Sequence, residues 1–562
     1  MAVSRRTLRI ALVFAFAVVL YLPGLGRPAL WEPDEGRYAE IAREMYLSGD
    51  YVTPRNDQVR YFEKPPLVYW TEAATIAVFG ANEFAIRLPA AIFSIGEIVV
   101  TAMLAEAMLG ADAALLSAIA LGLGPLFFGL GRAATLDPAL AFFMTAGLGA
   151  FFVAARIGDF SRADARRWFV LAAAMLAVGT LAKGPVALLL GGAIALTWIL
   201  VERRTNEIVR MPWITAIAIY AAITIPWFTL AEMRNPGFLS FFFLHEHFAR
   251  YLHASEHGWG LWFFIPVVIF GAWPWIVFAP AGARGMARES STRSALKFLS
   301  IWFAFTFVFF SIPRAKLASY ILPAMPALAI VCGYGIARLW SIPPDRRRRI
   351  FTWFVLLNVG AVMGACVGLF ASRGFLSYAL TVDGIVILSL LALMTIVVWM
   401  LRATSIGAPF IAIALTMVVI LGLGARARDH AAQYATYRDL ARAIVPHLRP
   451  GCVLASYRHN VQSLPFYTGF RERLVAYRGE LDEPFSNSPE AAESFIATDD
   501  DLRREWSGGG CVVLVANRSD LEHLRTILTP APVTVGCEGK KLALYNGDAP
   551  ADPRCASAGD AD

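Results

Sequence analysis

The sequence predicts a polytopic α-helical membrane protein that carries a soluble α/β domain at its C-terminus. Three observations predict this fold class. The chain of 562 residues is 57% hydrophobic and has a mean hydropathy of +0.55. Only 17% of its residues are charged, whereas about a quarter are charged in an ordinary soluble protein. The apolar residues form long runs up to Gly424, after which the composition becomes mixed and polar.

The net charge of +7 does not indicate a nucleic acid partner, because most basic residues lie between the apolar runs. The first apolar run follows Arg5, Arg6 and Arg9, as a signal peptide would. No small-residue cleavage site follows it, and many further runs come after it. We therefore predict that this run is the first membrane span, and that the chain binds membrane lipids rather than nucleic acid.

A helix needs about 20 apolar residues to cross a hydrocarbon core of about 30 Å. Windows of that length predict about 13 transmembrane helices. These lie at residues 9–25, 84–108, 111–130, 136–155, 167–182, 185–201, 211–231, 261–281, 297–312, 317–339, 350–372, 378–401 and 406–424. The shorter apolar segment 66–80 is predicted to lie at the interface. The predicted transmembrane domain spans residues 1–424, with outer loops at 26–83 and 232–260.

The arginines predict the orientation of the spans. With a cytoplasmic N-terminus, clusters such as Arg203–Arg204 and 346–349 all fall in cytoplasmic loops, as the positive-inside rule requires. An odd number of spans then places residues 425–562 in the periplasm, and we expect the chain in the bacterial inner membrane.

The region 425–562 is predicted to be a small α/β domain. Its short apolar runs predict strands, and the stretches between them predict helices. The predicted strands are Val453–Tyr457, Leu474–Tyr477, Val512–Ala516 and Leu542–Tyr545, and the predicted helices are Tyr437–His447 and Asp520–Leu528. The region also holds four cysteines, and the sequence leaves open whether they pair in an oxidising compartment; they are Cys452, Cys511, Cys537 and Cys555.

The outer loops hold two candidate catalytic acids, Asp34 in WEPDEGRYAE and Asp137 in LDP. A carboxylate here serves as a general base, a metal ligand or a stabiliser of positive charge. The alternative is that Asp34 only caps a helix over 35–47. Other charged residues on the same predicted side of the membrane favour a functional role.

Cations and a tyrosine in the outer loops are candidate ligands of a lipid phosphate. Lys64 lies in YFEKPP, where the two prolines predict that Glu63 and Lys64 point in different directions. The alternative for the lysines is snorkelling of the ammonium toward the headgroups. The complete candidate set is Arg37, Lys64, Lys183, Arg250, Lys316 and Tyr320.

A divalent metal site is a further hypothesis. His245 and His247 lie in HEHFARY, and Glu63 is a candidate third ligand for zinc or magnesium. An i,i+2 spacing suits two helical ligands poorly, so the alternative is that both histidines are polar surface residues of an outer loop.

Several segments resemble the aminoarabinose transferase family, membrane glycosyltransferases related to the protein O-mannosyltransferases. The resemblance runs in order from about residue 5 to residue 330. The matching segments are WEPDEGRYAEIAREMYLSGDY (31–51), YFEKPPLVYW (61–70), GANEFAIRLPA (80–90), LDP (136–138), LAKGP (181–185), EHFARY (246–251) and KLASYILP (316–323). Where this chain has Gly36 and Ala182 the family often has Thr, and no function is attached to either difference.

The resemblance implies the C-type membrane glycosyltransferase fold (GT-C). It implies a polyprenyl-phosphate-dependent pentosyltransferase that moves 4-amino-4-deoxy-L-arabinose from undecaprenyl phosphate to a lipid A phosphate. This lipopolysaccharide modification gives resistance to polymyxin and cationic peptides. It also implies an acidic residue in the first outer loop. We expect a monomer, with undecaprenyl-phosphate-linked sugar as donor and lipid A as acceptor.

Two alternatives remain at this point. One is a related transferase with another sugar or a hydroxyl acceptor on a protein, for which Asp34 would be a general base. The other is a flippase of the same lipid, although the inverted repeats frequent in carriers are not evident in the sequence.

Overall fold

The computed structural model of the protein describes residues 4–158, 160–249, 258–372, 378–403, 407–431, 435–481 and 488–555. They form two compact units. The membrane unit consists of Met1–Leu25 and Leu88–Ala427. The loop–sheet unit consists of Gly26–Arg87 and Arg428–Asp562, so the predicted first outer loop belongs to the same unit as the C-terminal region.

Within the described residues, nine helices are long and apolar enough to cross a membrane. They are Glu83–Leu109, Asp137–Ile157, Ala163–Lys183, Trp213–Arg234, Ser290–Ser311, Ala318–Trp340, Pro344–Ser372, Leu380–Leu401 and Gly407–Ala431. A tenth span arises if Phe264–Gly271 and Trp275–Arg288, which meet at a bend of 92°, are taken as one broken helix. The predicted polytopic helical protein is confirmed.

The count of about 13 spans is not confirmed. The three remaining predicted spans correspond to helices that are shorter than 18 residues or interrupted. They are Arg5–Tyr21, Ala111–Gly122 followed by Pro125–Leu130, and Val186–Val201. Small elements complete the unit: helices Thr205–Arg210 and Phe238–Ser240, the π-helix Phe241–Ala249, and the 3₁₀ segments Trp275–Phe278, Ala318–Ala324 and Arg338–Trp340.

The membrane unit has a packed centre and an exposed apolar periphery. In helix Asp137–Ile157, 83% of the most apolar window is buried, but in Pro344–Ser372 only 17% is buried. Aromatic rings of Phe152, Trp198 and Phe298 meet at centroid distances of 4.9 to 5.6 Å. Because water cannot solvate such an exposed apolar helix face, the face of Pro344–Ser372 suits contact with lipid.

The loop–sheet unit contains a hairpin and one six-stranded sheet. The hairpin strands are β1 (Arg55–Asn56) and β2 (Val59–Arg60), and the sheet strands are β3 (Val453–Tyr457), β4 (Glu472–Val475), β5 (Phe495–Ile496), β6 (Val512–Asn517), β7 (Val533–Glu538) and β8 (Lys541–Tyr545). The sheet order is β5-β4-β3-β6-β8-β7, parallel from β5 to β6 and antiparallel from β6 to β7. The predicted C-terminal α/β domain is confirmed.

Both segments of the loop–sheet unit also contain helices. The helices of the unit are Asp34–Ser48, Leu67–Phe79, Arg438–Ile444, Leu464–Thr468, Pro489–Ala492, Asp499–Ser507 and Leu521–Ile527, with short 3₁₀ turns between them. Thr498 and Asp501 form a capping box that starts Asp499–Ser507.

Two disulfides close the sheet region. Cys452 pairs with Cys511, which joins the residues that precede β3 and β6, and Cys537 pairs with Cys555. The first crosslink closes a segment of 59 residues, and such a loop restricts the unfolded chain more than a short one does. The pairing that the sequence leaves open is therefore Cys452–Cys511 and Cys537–Cys555.

Candidate active site

Asp34 is the first residue of helix Asp34–Ser48, in the loop–sheet unit. The N-cap position is taken by Pro33, and no side chain makes a capping hydrogen bond there. The interpretation of Asp34 as a simple cap is therefore wrong. Its side chain is 41% exposed, and its Oδ1 lies 3.6 Å from Nη2 of Arg37. The carboxylate is thus accessible and held beside a cation.

Arg37 is buried and lies between tyrosines. Its Nη1 donates to the hydroxyl of Tyr61 over 3.1 Å, and its guanidinium carbon lies 5.9 Å from the ring centroids of Tyr38 and Tyr61. The ring of Tyr69 lies 5.9 Å from that of Tyr38. Burial raises the pKa of Tyr38 and of Tyr61 well above the usual value. Both phenols are neutral at physiological pH, so the hydroxyl of Tyr61 accepts from Arg37 as an uncharged group.

Lys64 contacts the residue before it. Its Nζ lies 3.1 Å from the carbonyl oxygen of Glu63 and 3.5 Å from Oε2 of the same residue. The prediction that these two side chains point in different directions is wrong, because the flexible lysine stem lets the ammonium fold back. The pair is a candidate anion and cation at one position of the first loop.

The residue next to Asp34 is the most firmly held acid of this loop. The carboxylate of Glu35 accepts from Arg87 at 2.8 and 2.6 Å, from Arg428 at 2.7 Å and from the Trp31 amide at 2.8 Å. Burial opposes its ionisation, but Arg87 and Arg428 outweigh burial and hold the pKa of Glu35 well below its usual range. Arg87 also donates to the carbonyls of Pro28 and Ala29, so it fixes the loop that leads to Asp34.

Sequence reasoning missed this network. Arg87 stands in a segment that resembles the family, GANEFAIRLPA, and that was its only signal. Arg428 follows the last apolar run, where an arginine is common at the end of a helix. It is 393 residues away from Glu35 in the sequence, so spacing gives no sign of the contact.

In the membrane unit, three predicted residues meet. Asp137 begins helix Asp137–Ile157, and Lys183 is the last residue of helix Ala163–Lys183. The ammonium of Lys183 forms an ion pair with Oδ1 of Asp137 and lies 4.5 Å from the ring centroid of Tyr320. Both charged side chains are largely buried, at 13% and 7% exposed. This contact explains how a lone cation between two spans is tolerated.

The remaining candidates have other surroundings. Lys316 is buried, and its Nζ donates to the carbonyl oxygen of Trp259 over 2.9 Å. His245 is exposed on the π-helix and lies 5.5 Å from the ring of Phe241. The side chain of His247 and the whole of Arg250 lie outside the described residues. The metal site of Glu63, His245 and His247 stays a prediction.

The chain is similar to known proteins in sequence and in fold. A model of the dolichyl-phosphate-mannose-protein mannosyltransferase family matches residues 6–242. A crystal structure of ArnT from Cupriavidus metallidurans bound to undecaprenyl phosphate has a TM-score of 0.82 and 30% identity, covering 97% of this chain and 99% of that one. An oligosaccharyltransferase from Archaeoglobus fulgidus, at 12% identity and a TM-score of 0.54 over 91% of this chain and 69% of that one, shares the fold alone.

Sequence relatives agree with the structural likeness. The undecaprenyl phosphate-alpha-4-amino-4-deoxy-L-arabinose arabinosyl transferase 1 of Pseudomonas fluorescens is 31% identical over 417 residues, 70% of this chain and 71% of the relative. The enzyme of the same name from Erwinia tasmaniensis is 33% identical over 330 residues, 58% of this chain. That alignment spans 59% of the relative's length.

A polytopic helical unit with the buried Asp137–Lys183 pair, together with a unit that holds an α/β sheet, defines the class: a polytopic membrane glycosyltransferase of the C-type fold. Within that class, the chain belongs to the undecaprenyl phosphate-aminoarabinose arabinosyl transferase family. The predicted family and fold type are confirmed.

Proposed function

We propose that the chain transfers 4-amino-4-deoxy-L-arabinose from undecaprenyl phosphate to a phosphate of lipid A. The observation that carries this proposal is the likeness, over 97% of the chain, to ArnT from Cupriavidus metallidurans in its complex with undecaprenyl phosphate. The product carries an added amine, which lowers the negative charge of lipid A. The expected phenotype is resistance to polymyxin and other cationic peptides.

The reaction breaks the bond between the sugar C1 and an oxygen of the carrier phosphate. The electron pair of that bond goes to undecaprenyl phosphate as the leaving group, and an oxygen of the acceptor phosphate forms the new bond to C1. Charge builds on the leaving phosphate, and fixed cations stabilise such charge in a dry site. We assign this role to Lys64 and Arg37, together with Arg250 on the basis of the family resemblance.

Asp34 has a different role from a base in this scheme. A phosphate acceptor is already anionic at neutral pH, so no proton has to be removed from it before attack. The accessible carboxylate beside Arg37 is instead suited to stabilise the positive charge that develops on the sugar. The buried Asp137–Lys183 pair with Tyr320 is a second charged position, which we assign to holding a substrate phosphate near Lys183.

We also propose that transfer occurs at the periplasmic face of the inner membrane. The support is the arginine bias of the predicted cytoplasmic loops, of which 346–349 is the densest. Reporter fusions at Arg348 and Gly424 are expected to give opposite signals, and matching signals would exclude this topology.

A second candidate function has one observation in its favour. The family model that matches residues 6–242 describes protein mannosyltransferases, whose acceptor is a protein hydroxyl. In that case Asp34 would be the general base, and the product would be a glycoprotein instead of a modified lipid.

Mass spectrometry of lipid A from cells with and without the chain tests the proposal. The expected result is a mass increase that matches one or two added aminopentoses in cells with the wild-type chain. The Lys64→Ala variant is expected to lose this increase at normal expression, whereas the exposed Asp164→Asn variant is expected to keep it. Unchanged lipid A beside a newly glycosylated protein would support the second candidate.

A further inference from the structure

Three acidic side chains of the loop–sheet unit converge away from Asp34. Glu40 and Glu44 lie one helical turn apart on Asp34–Ser48, so they share a helix face. Asp57 lies in the turn between β1 and β2, where its φ is +53°. One carboxylate oxygen of each residue lies within 4.8 Å of one oxygen of each of the others. All three side chains are buried.

Among the described hydrogen bonds of this cluster, one arginine serves three acids. Arg43 makes two bonds of 2.7 Å to Glu40, and the Gln58 amide donates to Glu44 over 3.0 Å. The Glu472 amide donates to Oδ1 of Asp57 over 3.0 Å.

One buried oxygen of the cluster accepts no hydrogen bond from the described residues. Among the described residues, Oδ2 of Asp57 has no hydrogen-bond partner, although Asp57 is only 1% exposed. One oxygen of the same carboxylate lies within 4.8 Å of one oxygen of Glu40 and one of Glu44.

A further acid near the cluster also favours a bound cation. A fourth buried carboxylate, Glu472, has an Oε2 without a hydrogen-bond partner among the described residues. Buried carboxylates need either protons or a cation, because an unpaired buried charge is costly.

We propose that Glu40, Glu44 and Asp57 bind one divalent cation, and that this cation is Ca²⁺. A ligand set made only of carboxylate oxygens suits hard cations rather than zinc. Ca²⁺ bonds of about 2.3–2.6 Å and an irregular geometry suit oxygens up to 4.8 Å apart, whereas Mg²⁺ demands near-octahedral ligands at about 2.0–2.1 Å. The ion would tie the helix that begins at Asp34 to the β1–β2 turn.

This site is separate from the metal site predicted at Glu63, His245 and His247, and it does not rest on the proposed transfer reaction. Its role is structural, because the three ligands lie one to three helical turns beyond Asp34 or in the neighbouring turn. Through the Glu472 amide, the ion would also connect the first outer loop to strand β4.

Calorimetric titration of the chelator-stripped, detergent-purified full chain with CaCl₂ tests the proposal. We expect about one equivalent of saturable Ca²⁺ binding, a Ca²⁺-dependent rise in the thermal unfolding midpoint, and at least tenfold weaker binding of Mg²⁺. Asp57→Asn and Glu44→Gln are each expected to weaken Ca²⁺ binding by about tenfold or more. Glu522→Gln removes an acid that is 84% exposed on the same unit and is the matched control, expected to bind as wild type does.

The competing explanation is that the cluster holds protons. In that case Ca²⁺ would leave the wild-type midpoint unchanged, and the amide variants would unfold at the same or a higher temperature. That result would overturn the proposal. An Asp57→Asn variant that binds Ca²⁺ with the affinity of the wild type would also overturn it. If neither variant yields monodisperse protein, the wild-type titration decides, because absence of a saturable Ca²⁺ site also overturns it.

Discussion

The two units hold a buried acid beside a cation in different ways. In the membrane unit, Asp137 and Lys183 lie at the ends of two regular helices, and Lys183 also lies beside the ring of Tyr320. In the loop–sheet unit, Glu35 needs two arginines and a backbone amide, and Arg87 must also bind the carbonyls of the loop. Packed helices position the residues that they carry through their own backbone hydrogen bonds, whereas a loop is positioned by the side chains that bind its charges and carbonyls.

The difference suggests a division of roles. The Asp137–Lys183 pair is preorganised by the helices that carry it, while the position of Asp34 depends on a network built from distant segments. Substitutions near Asp34 should therefore act on transfer, and substitutions of the network should act first on the order of the loop.

The largest expected effect is that of Asp34→Asn, which should lower transfer by on the order of 10² or more, because it removes a transition-state charge while keeping size. Transfer from purified polyprenyl donor by detergent-extracted, monodisperse protein is the measurement. Asp164→Asn, on an exposed helix start, is the matched control and should transfer normally. Near wild-type transfer by the Asp34 variant would remove Asp34 from the catalytic role and leave Asp137 or Glu63 as the next candidate.

The second largest effect is expected at the Asp137–Lys183 pair of the membrane unit. Asp137→Asn alone should cost about 3 kcal/mol of stability, because it leaves the largely buried Lys183 without its carboxylate. The double variant Asp137→Asn/Lys183→Met should recover thermal stability but not transfer. Recovery of both properties would show that the pair is purely structural.

A smaller effect is expected for Arg428. Arg428→Ala should lower the free energy of unfolding by about 2 kcal/mol. The loss stays this small because Arg87 still binds Glu35 in the variant. Transfer should fall by about tenfold, and Arg428→Lys should recover part of it, since a lysine keeps the charge without the planar fork. Hydrogen exchange over residues 28–37 is the second measurement, and unchanged exchange in Arg428→Ala would contradict the positioning role.

The smallest effect concerns pH. Burial lowers the pKa of His459 to about 4, and its Nδ1 lies 2.6 Å from the Tyr457 carbonyl oxygen. The unfolded chain, with a histidine pKa near 6.5, binds the proton first, so stability should fall as pH drops from about 6.5 to about 4. His459→Gln should reduce this loss by on the order of 1 kcal/mol, measured as the difference between the two proteins' unfolding midpoints at pH 7.5 and 5. Parallel midpoints would contradict the assignment.

Much of the fold could be predicted because its signals are local. Long apolar runs predict the spans, and β3 and β6 appear as continuous apolar segments, as buried parallel strands do. Strand β5 has only two residues, and β7 is interrupted by Gly536, so neither produces a clear pattern. The count of about 13 spans is not confirmed, because three of the predicted runs form described helices that are shorter than 18 residues or interrupted.

The candidate site could be predicted only in part. Asp137, Lys183 and Tyr320 stand in separate motifs, and the sequence assigns all three to the same side of the membrane without showing that they touch. The contact of Lys64 with Glu63 depends on side-chain torsions. The two prolines that follow Lys64 restrict the backbone before them but do not fix those torsions. The Glu35 network depends on a partner from the far end of the chain, and spacing carries no information about such a contact.

That distant partner has a consequence for biosynthesis. Arg428 is made 393 residues after Glu35, and at roughly 5–20 residues per second the ribosome needs about 20–80 seconds to reach it. During this interval the first loop has Arg87 but lacks Arg428, the Ser463 amide that binds Glu32, and strand β4. The loop that presents Asp34 therefore reaches its final form only when synthesis is nearly complete, so a chain released early carries every candidate catalytic motif of this loop and still lacks the contacts that order it.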